Sequence, residues 1–181
     1  AEFLKLYGFT KAFKGLFFYN YRIIKRRITN QDSNQVSVNG YQLKIIPNDI
    51  GISEELRMFK THEPITTKLI SKEIKSDMVC LEVGANIGYY SILESICVGT
   101  KGKIIAIEPS PANYERLLEN IELNNLMNVE CYNFACGNKD GTVKFLISDK
   151  SNRCTTIDQE NYIPEHGTII NVPVKKLDIF L

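Results

Sequence analysis

Residues 81–110 read LEVGANIGYYSILESICVGTKGKIIAIEPS, and this stretch decides the fold. Met78–Val83 is an apolar run of strand length that stops at a glycine turn, Gly84–Gly88. Tyr89–Val98 continues as a helix, Gly99-Thr100-Lys101-Gly102 turns the chain back, and Lys103–Ile107 forms a second strand ended by Glu108-Pro109. Ser110 is placed to cap the next helix, with Pro111 at its first position. Tyr114, Leu117, Leu118 and Ile121 then recur at i, i+3, i+4 and i+7, Asn124-Asn125 ends the helix, and Val129–Phe134 is a third strand. Strand, helix, strand, helix, strand is a pair of right-handed crossovers. The expected class is α/β, a Rossmann-like parallel sheet with helices on both faces.

Outward from this unit the pattern changes. Residues 36–46 (VSVNGYQLKII) read as a hairpin around Asn39-Gly40, a loop follows at Pro47, Asn48, Asp49 and Gly51, and residues 53–60 and 64–75 read as short helices. Beyond Gly141, Val143–Ile147 and Ile169–Val174 look like added β segments, with a polar, loop-like run at 148–168 between them. At the front, Leu6, Phe9, Phe13, Leu16, Phe17 and Ile24 fall near one face of an amphipathic helix. The expected organisation is a basic helical segment over 1–35, a lead-in over 36–77 and the main domain over 78–181.

A length of 181 residues suits one domain with a real core, and 44% hydrophobic with 24% charged residues is ordinary for a globular protein. The net charge of +1 gives no reason to expect nucleic acid. The charge is uneven, however. Residues 1–28 carry seven cations against Glu2 alone, a net +6 that leaves −5 on the rest. Such a segment either packs on the domain with a solvated basic face or rests on a membrane surface. The five cysteines (80, 97, 131, 136 and 154) form no C-x-x-C and lie far in sequence from His62 and His166, so no metal site is expected. Free thiols and the lack of a spanning or signal-like apolar stretch favour a cytoplasmic protein, with membrane association left open by residues 1–28.

The chemistry concentrates at Glu82-Val83-Gly84-Ala85-Asn86-Ile87-Gly88. Glycines at a strand end let a ligand approach the backbone, and the free N–H groups of the following helix attract a carboxylate. Glu108 ends the adjacent strand, so its carboxylate stands beside the turn and can accept the ribose hydroxyls of an adenosine. Dinucleotide sites use G-x-G-x-x-G, but here the corresponding positions are Gly84, Asn86 and Tyr89, with side chains where a pyrophosphate needs open backbone. Glu82 would repel a diphosphate and suits a sulfonium. The pattern favours S-adenosylmethionine over NAD.

The runs VGANIGYYSIL, GKIIAIEPSPANYERLLENIELNNL and NVECYNFACGNKDGTVKF, with the upstream VNGYQLKIIPNDIGISEELRMFKTHEP, resemble the FkbM family of methyltransferases over roughly residues 36–181. The resemblance implies a class I methyltransferase fold and methyl transfer from S-adenosylmethionine to a hydroxyl on a sugar, glycan or small metabolite. It assigns Glu82, Gly84, Ala85, Asn86 and Gly88 to the methionine and ribose end, Glu108 to the ribose hydroxyls, Pro109 and Ser110 to the adenine, and Asn133 and Ala135 to the adenine edge. Glu63 is its weakest transfer, as a residue closing over the cofactor. In the family a strand resembling I-K-I-D-V-E-G follows the run that here reads VKKLDIFL, so that strand and its acids are expected to be missing and the catalytic base goes unnamed.

Other residues have plainer readings. His62 and His166 suit solvated loops, Asn120 and Asn124 surface or helix-end positions, Cys131 and Cys136 strand packing, and Arg153 an exposed loop. The rival function is a binding module that holds a ligand without catalysis.

Overall fold

The computed structural model describes residues 34–47, 49–148, 154–157 and 166–180. The amphipathic segment over 1–28 and Arg153 lie outside these described residues. The chain opens with a hairpin, β1 (Gln35–Val38) and β2 (Tyr41–Lys44), closed at Asn39-Gly40 as the dipeptide requires. Helix α1 (Ile52–Phe59) follows, with the Asp49 carboxylate receiving the N–H groups of Gly51 and Ser53 at its start. Helix α2 (Pro64–Glu73) carries Pro at its first position.

The crossover unit is β3 (Val79–Val83), α3 (Tyr89–Val98), β4 (Lys103–Ile107), α4 (Pro111–Leu123) and β5 (Val129–Tyr132), and its strands pair in parallel in the order β3-β4-β5. The strand read as far as Phe134 stops at Tyr132, because Asn133 leaves the ladder to donate its amide to the backbone carbonyls of Glu108 and Pro109. The pleat sends Cys80, Ile104, Ala106 and Cys131 to the side occupied by α3 and α4, where they join Ile92, Val98, Leu117 and Ile121 in the main core.

Helices were expected on both faces of this sheet. Among the described residues those of the crossover unit lie on one. Both crossovers step the same way across the sheet, and a right-handed crossover that repeats its direction repeats its face. The opposite face of β3 is open, with Val79 68% and Val83 54% exposed.

The remaining strands are β6 (Ala135–Gly137), β7 (Gly141–Ile147), β8 (Cys154–Ile157) and β9 (Thr168–Lys176). They form a second sheet in the order β6-β9-β7-β8, antiparallel except for β6 with β9. Strand β8 arises inside the run read as loop. Its two central threonines face solvent, so only pairing with β7 identifies it. Ala135, Phe145, Val172 and Val174 make the small core of this sheet.

Candidate functional site

The ends of β3, β4 and β5 converge on the glycine turn. Gly84 and Ala85 both donate N–H to the Ile107 carbonyl, at 2.8 and 3.0 Å, which pins the turn to the end of β4. Gly84 has φ +86°, and no atom lies within 4 Å of where a side chain would begin, so the backbone is open there. Asn86 has φ +55°, a conformation its short amide tolerates, and its Oδ1 accepts the Ile87 N–H at 2.8 Å. Gly88 caps α3 at φ +87°, and a Cβ there would lie 2.7 Å from Leu117 Cδ1. Gly88→Ala is therefore expected to destabilise the fold by about 1–3 kcal/mol, read as a lower midpoint in thermal unfolding. An unchanged midpoint would show that α4 yields at Leu117.

Glu108 lies across from the turn and is only 4% exposed. Its Oε2 accepts the Asn86 N–H at 2.8 Å; its Oε1 accepts the Ser110 N–H at 2.8 Å and the Asn113 amide at 3.4 Å. Burial pushes the carboxyl up, and the donors from Ser110, Asn86 and Asn113 oppose that shift. Ser110 occupies the cap position of α4 without a side-chain capping bond; its hydroxyl meets the Cys154 thiol instead. Asn133 closes the floor through the carbonyls of Glu108 and Pro109, while Ala135 is buried in the small core.

Glu82 points to the helix-covered face, where it accepts the Ser91 hydroxyl. Burial first, then the Glu94 and Glu108 carboxylates, push it up to about 8 against that hydrogen bond. It is thus largely neutral at pH 7, which weakens the argument that its charge repels a diphosphate. Glu94 is buried, has no hydrogen-bond partner for Oε2 among the described residues and is raised to about 7 by burial. Both folded pKa values exceed that of an unfolded carboxyl, so their contribution to stability is complete below pH of about 4 and is lost as pH rises through about 7 and 8. Glu94→Gln is expected to raise stability at pH 8 on the order of 1–3 kcal/mol, with the gain vanishing near pH 4. Melting curves across that range test it; a constant offset at every pH would contradict the assignment.

A second cluster adjoins the start of α3. His62 Nδ1 lies 2.6 Å from Glu55 Oε2, and its ring stands 5.8 Å from those of both Tyr89 and Tyr90. Glu63 caps α2 at φ +40°, and its Oε2 accepts the Tyr90 hydroxyl at 3.1 Å. Thr67 and Thr61 bond the Tyr89 hydroxyl at 3.2 and 3.4 Å. The solvated-loop reading of His62 therefore gives way to a held ring, whereas His166 is exposed. Asn124 ends α4 as read, whereas Asn120 is wholly buried, and both amides hold the backbone of β2. Sequence reasoning passed over Glu55, Asn113 and Cys154. No local pattern marks them, because each meets its partner only through packing. A groove of about 600 Å³ at the far end of the sheet, between Thr100, Lys101, Met127 and Glu130, is remote from this chemistry.

A family model of the methyltransferase FkbM domain matches residues 82–181. Methyltransferase 1 of Beauveria bassiana (strain ARSEF 2860) is 26% identical over 120 residues, which cover 58% of this chain and 48% of that protein. The chain thus spans about half the length of the curated relative it matches. Among solved structures, a SAM-dependent methyltransferase from Aquifex aeolicus is 32% identical, with a TM-score of 0.37 over 40% of this chain and 39% of that one. A protein-L-isoaspartate O-methyltransferase is 26% identical, with a TM-score of 0.39 over 41% and 24%.

Proposed function

Given that the chain belongs to the FkbM family of methyltransferases, we propose that it serves methyl transfer from S-adenosylmethionine to a hydroxyl oxygen on a sugar, glycan or small metabolite. The observation that carries this reading is the pairing of the open turn at Gly84 with the buried Glu108 carboxylate across from it. The residues present fit the cofactor. Oε2 of Glu108 accepts the Asn86 N–H at 2.8 Å and has a second lone pair for a ribose hydroxyl, and the backbone at Gly84 leaves room beside it. The bound cofactor supplies an electrophilic methyl group on a sulfonium.

The chain's own work is alignment and proton removal. Glu108 and the turn fix the nucleoside end, and alignment of this kind is worth up to roughly 7–11 kcal/mol. A hydroxyl acceptor must also lose its proton, and His62 is the base the site offers. In the tautomer whose Nδ1–H donates to Glu55 Oε2 at 2.6 Å, Nε2 is the atom that would take the proton, with Glu63 Oε1 4.0 Å from it.

Transfer of labelled methyl from S-adenosylmethionine to a panel of monosaccharides, nucleotide sugars and small alcohols tests the reading. Labelled methyl ethers are the expected product; label confined to amine, thiol or carboxyl acceptors would overturn the hydroxyl assignment. No helix among the described residues is long and apolar enough to cross a membrane.

A further inference from the structure

Strand β2 is paired by β1 on one edge, and on the other it is paired by two asparagines. Asn120 Oδ1 accepts the Lys44 N–H at 2.7 Å, and its Nδ2 donates to the Lys44 carbonyl at 3.0 Å. Asn124 does the same to Gln42, accepting at 3.0 Å and donating at 2.7 Å. Each carboxamide thus replaces one residue of a neighbouring strand. The fit is geometric: four residues of helix rise about 6 Å, close to the roughly 6.6 Å spanned by two residues of strand.

The two clamps differ in one bond. The second Nδ2 hydrogen of Asn124 goes to the Asn120 carbonyl of its own helix, at 2.8 Å. That of Asn120 goes to the Ile87 carbonyl, at 2.7 Å. Ile87 sits between two positive-φ residues of the glycine turn, Asn86 and Gly88, and both Ile87 and Asn120 are wholly buried. The turn is consequently held from two sides, by Glu108 at the Asn86 N–H and by Asn120 at the Ile87 carbonyl.

We propose that Asn120 is a positioning residue of the cofactor site, locking the glycine turn to the lead-in hairpin, while Asn124 is a clamp on the hairpin alone. This rests on the cofactor reading above. Both Nδ2 hydrogens and Oδ1 of the Asn120 carboxamide are bonded, so loss of the side chain frees a buried carbonyl inside the turn as well as the edge of β2.

The test compares Asn120→Ala with Asn124→Ala by calorimetric titration with S-adenosylhomocysteine and by thermal unfolding. Both variants are expected to melt earlier than the parent. Only Asn120→Ala is expected to raise the Kd, by about tenfold, with Asn124→Ala within twofold. Equal affinity in the two variants overturns the proposal, whether both keep the parent value or both lose it. Should Asn120→Ala fail to fold, the side-chain amide resonances of the unsubstituted protein decide. Adding S-adenosylhomocysteine is expected to shift those of Asn120 and leave those of Asn124 in place, and an unmoved Asn120 overturns the assignment. Failure of the unsubstituted protein to bind would instead strike down the cofactor reading, and this inference with it.

Discussion

With an acceptor identified, His62→Gln is expected to lower turnover by about 10²–10⁴-fold, the range that a positioned acid or base contributes. The Kd for S-adenosylhomocysteine is expected to stay within twofold, because His62 approaches the start of α3 through the tyrosine rings and makes no contact with Glu108 or the Gly84 backbone. The reason for so large an effect is the polarity of the dyad. With Nδ1–H donating to Glu55 Oε2 at 2.6 Å, Nε2 is the nitrogen left to accept a proton, 4.0 Å from Glu63 Oε1. Glutamine keeps the bulk of the ring but offers no basic nitrogen. Glu55→Gln should then give a smaller fall in turnover, since the imidazole remains and only its orientation and tautomer are loosened. Initial rates of labelled methyl transfer decide the matter; a loss under tenfold for His62→Gln would remove it from the proton-taking role.

Glu108→Ala is expected to weaken S-adenosylhomocysteine binding by about 100-fold or more. A hydrogen bond to a charged group is worth about 1.5–3 kcal/mol, the upper part of which is about 100-fold in Kd for the one ribose hydroxyl that the open Oε2 lone pair accepts. The same substitution removes the acceptor of the Asn86 and Ser110 N–H groups, so the turn and the start of α4 lose their common anchor. Glu108→Gln separates the two contributions, because one carbonyl acceptor survives where alanine leaves none. Calorimetry on both variants is the measurement, and unchanged affinity in Glu108→Ala would dismiss the carboxylate as a cofactor ligand.

Much of the framework could be read directly from the residues. The alternation of apolar strands and an amphipathic helix between Met78 and Phe134, with glycines at the first strand end and Glu108 at the second, dictates parallel crossovers and brings those two ends to one edge. Asn39-Gly40 likewise dictates the hairpin, because few other dipeptides accept its turn. These are local features: a 3.6- or 2-residue period and a backbone angle are properties of a few consecutive residues.

The rest depends on partners distant in sequence. Asn120 meets Lys44 across 76 residues and Ile87 across 33, and nothing in the ENIELNN run distinguishes a buried clamp from a solvated amide. His62 looks like a loop histidine until the turn after α1 folds it against Glu55 and the two tyrosines of α3. Strand β8 exists because β7 offers it an edge, and through it Cys154 arrives beside Ser110. Even the placing of both crossover helices on one face follows from the direction in which the strands add, which no periodicity encodes. Sequence by itself determined which segments of the crossover unit are strand and helix and where the glycine turn lies, since local sterics and apolar spacing fix those. Tertiary structure alone decided which buried amide holds that turn and which imidazole packs against the tyrosines of α3, since contacts between distant segments form only when packing brings the segments together.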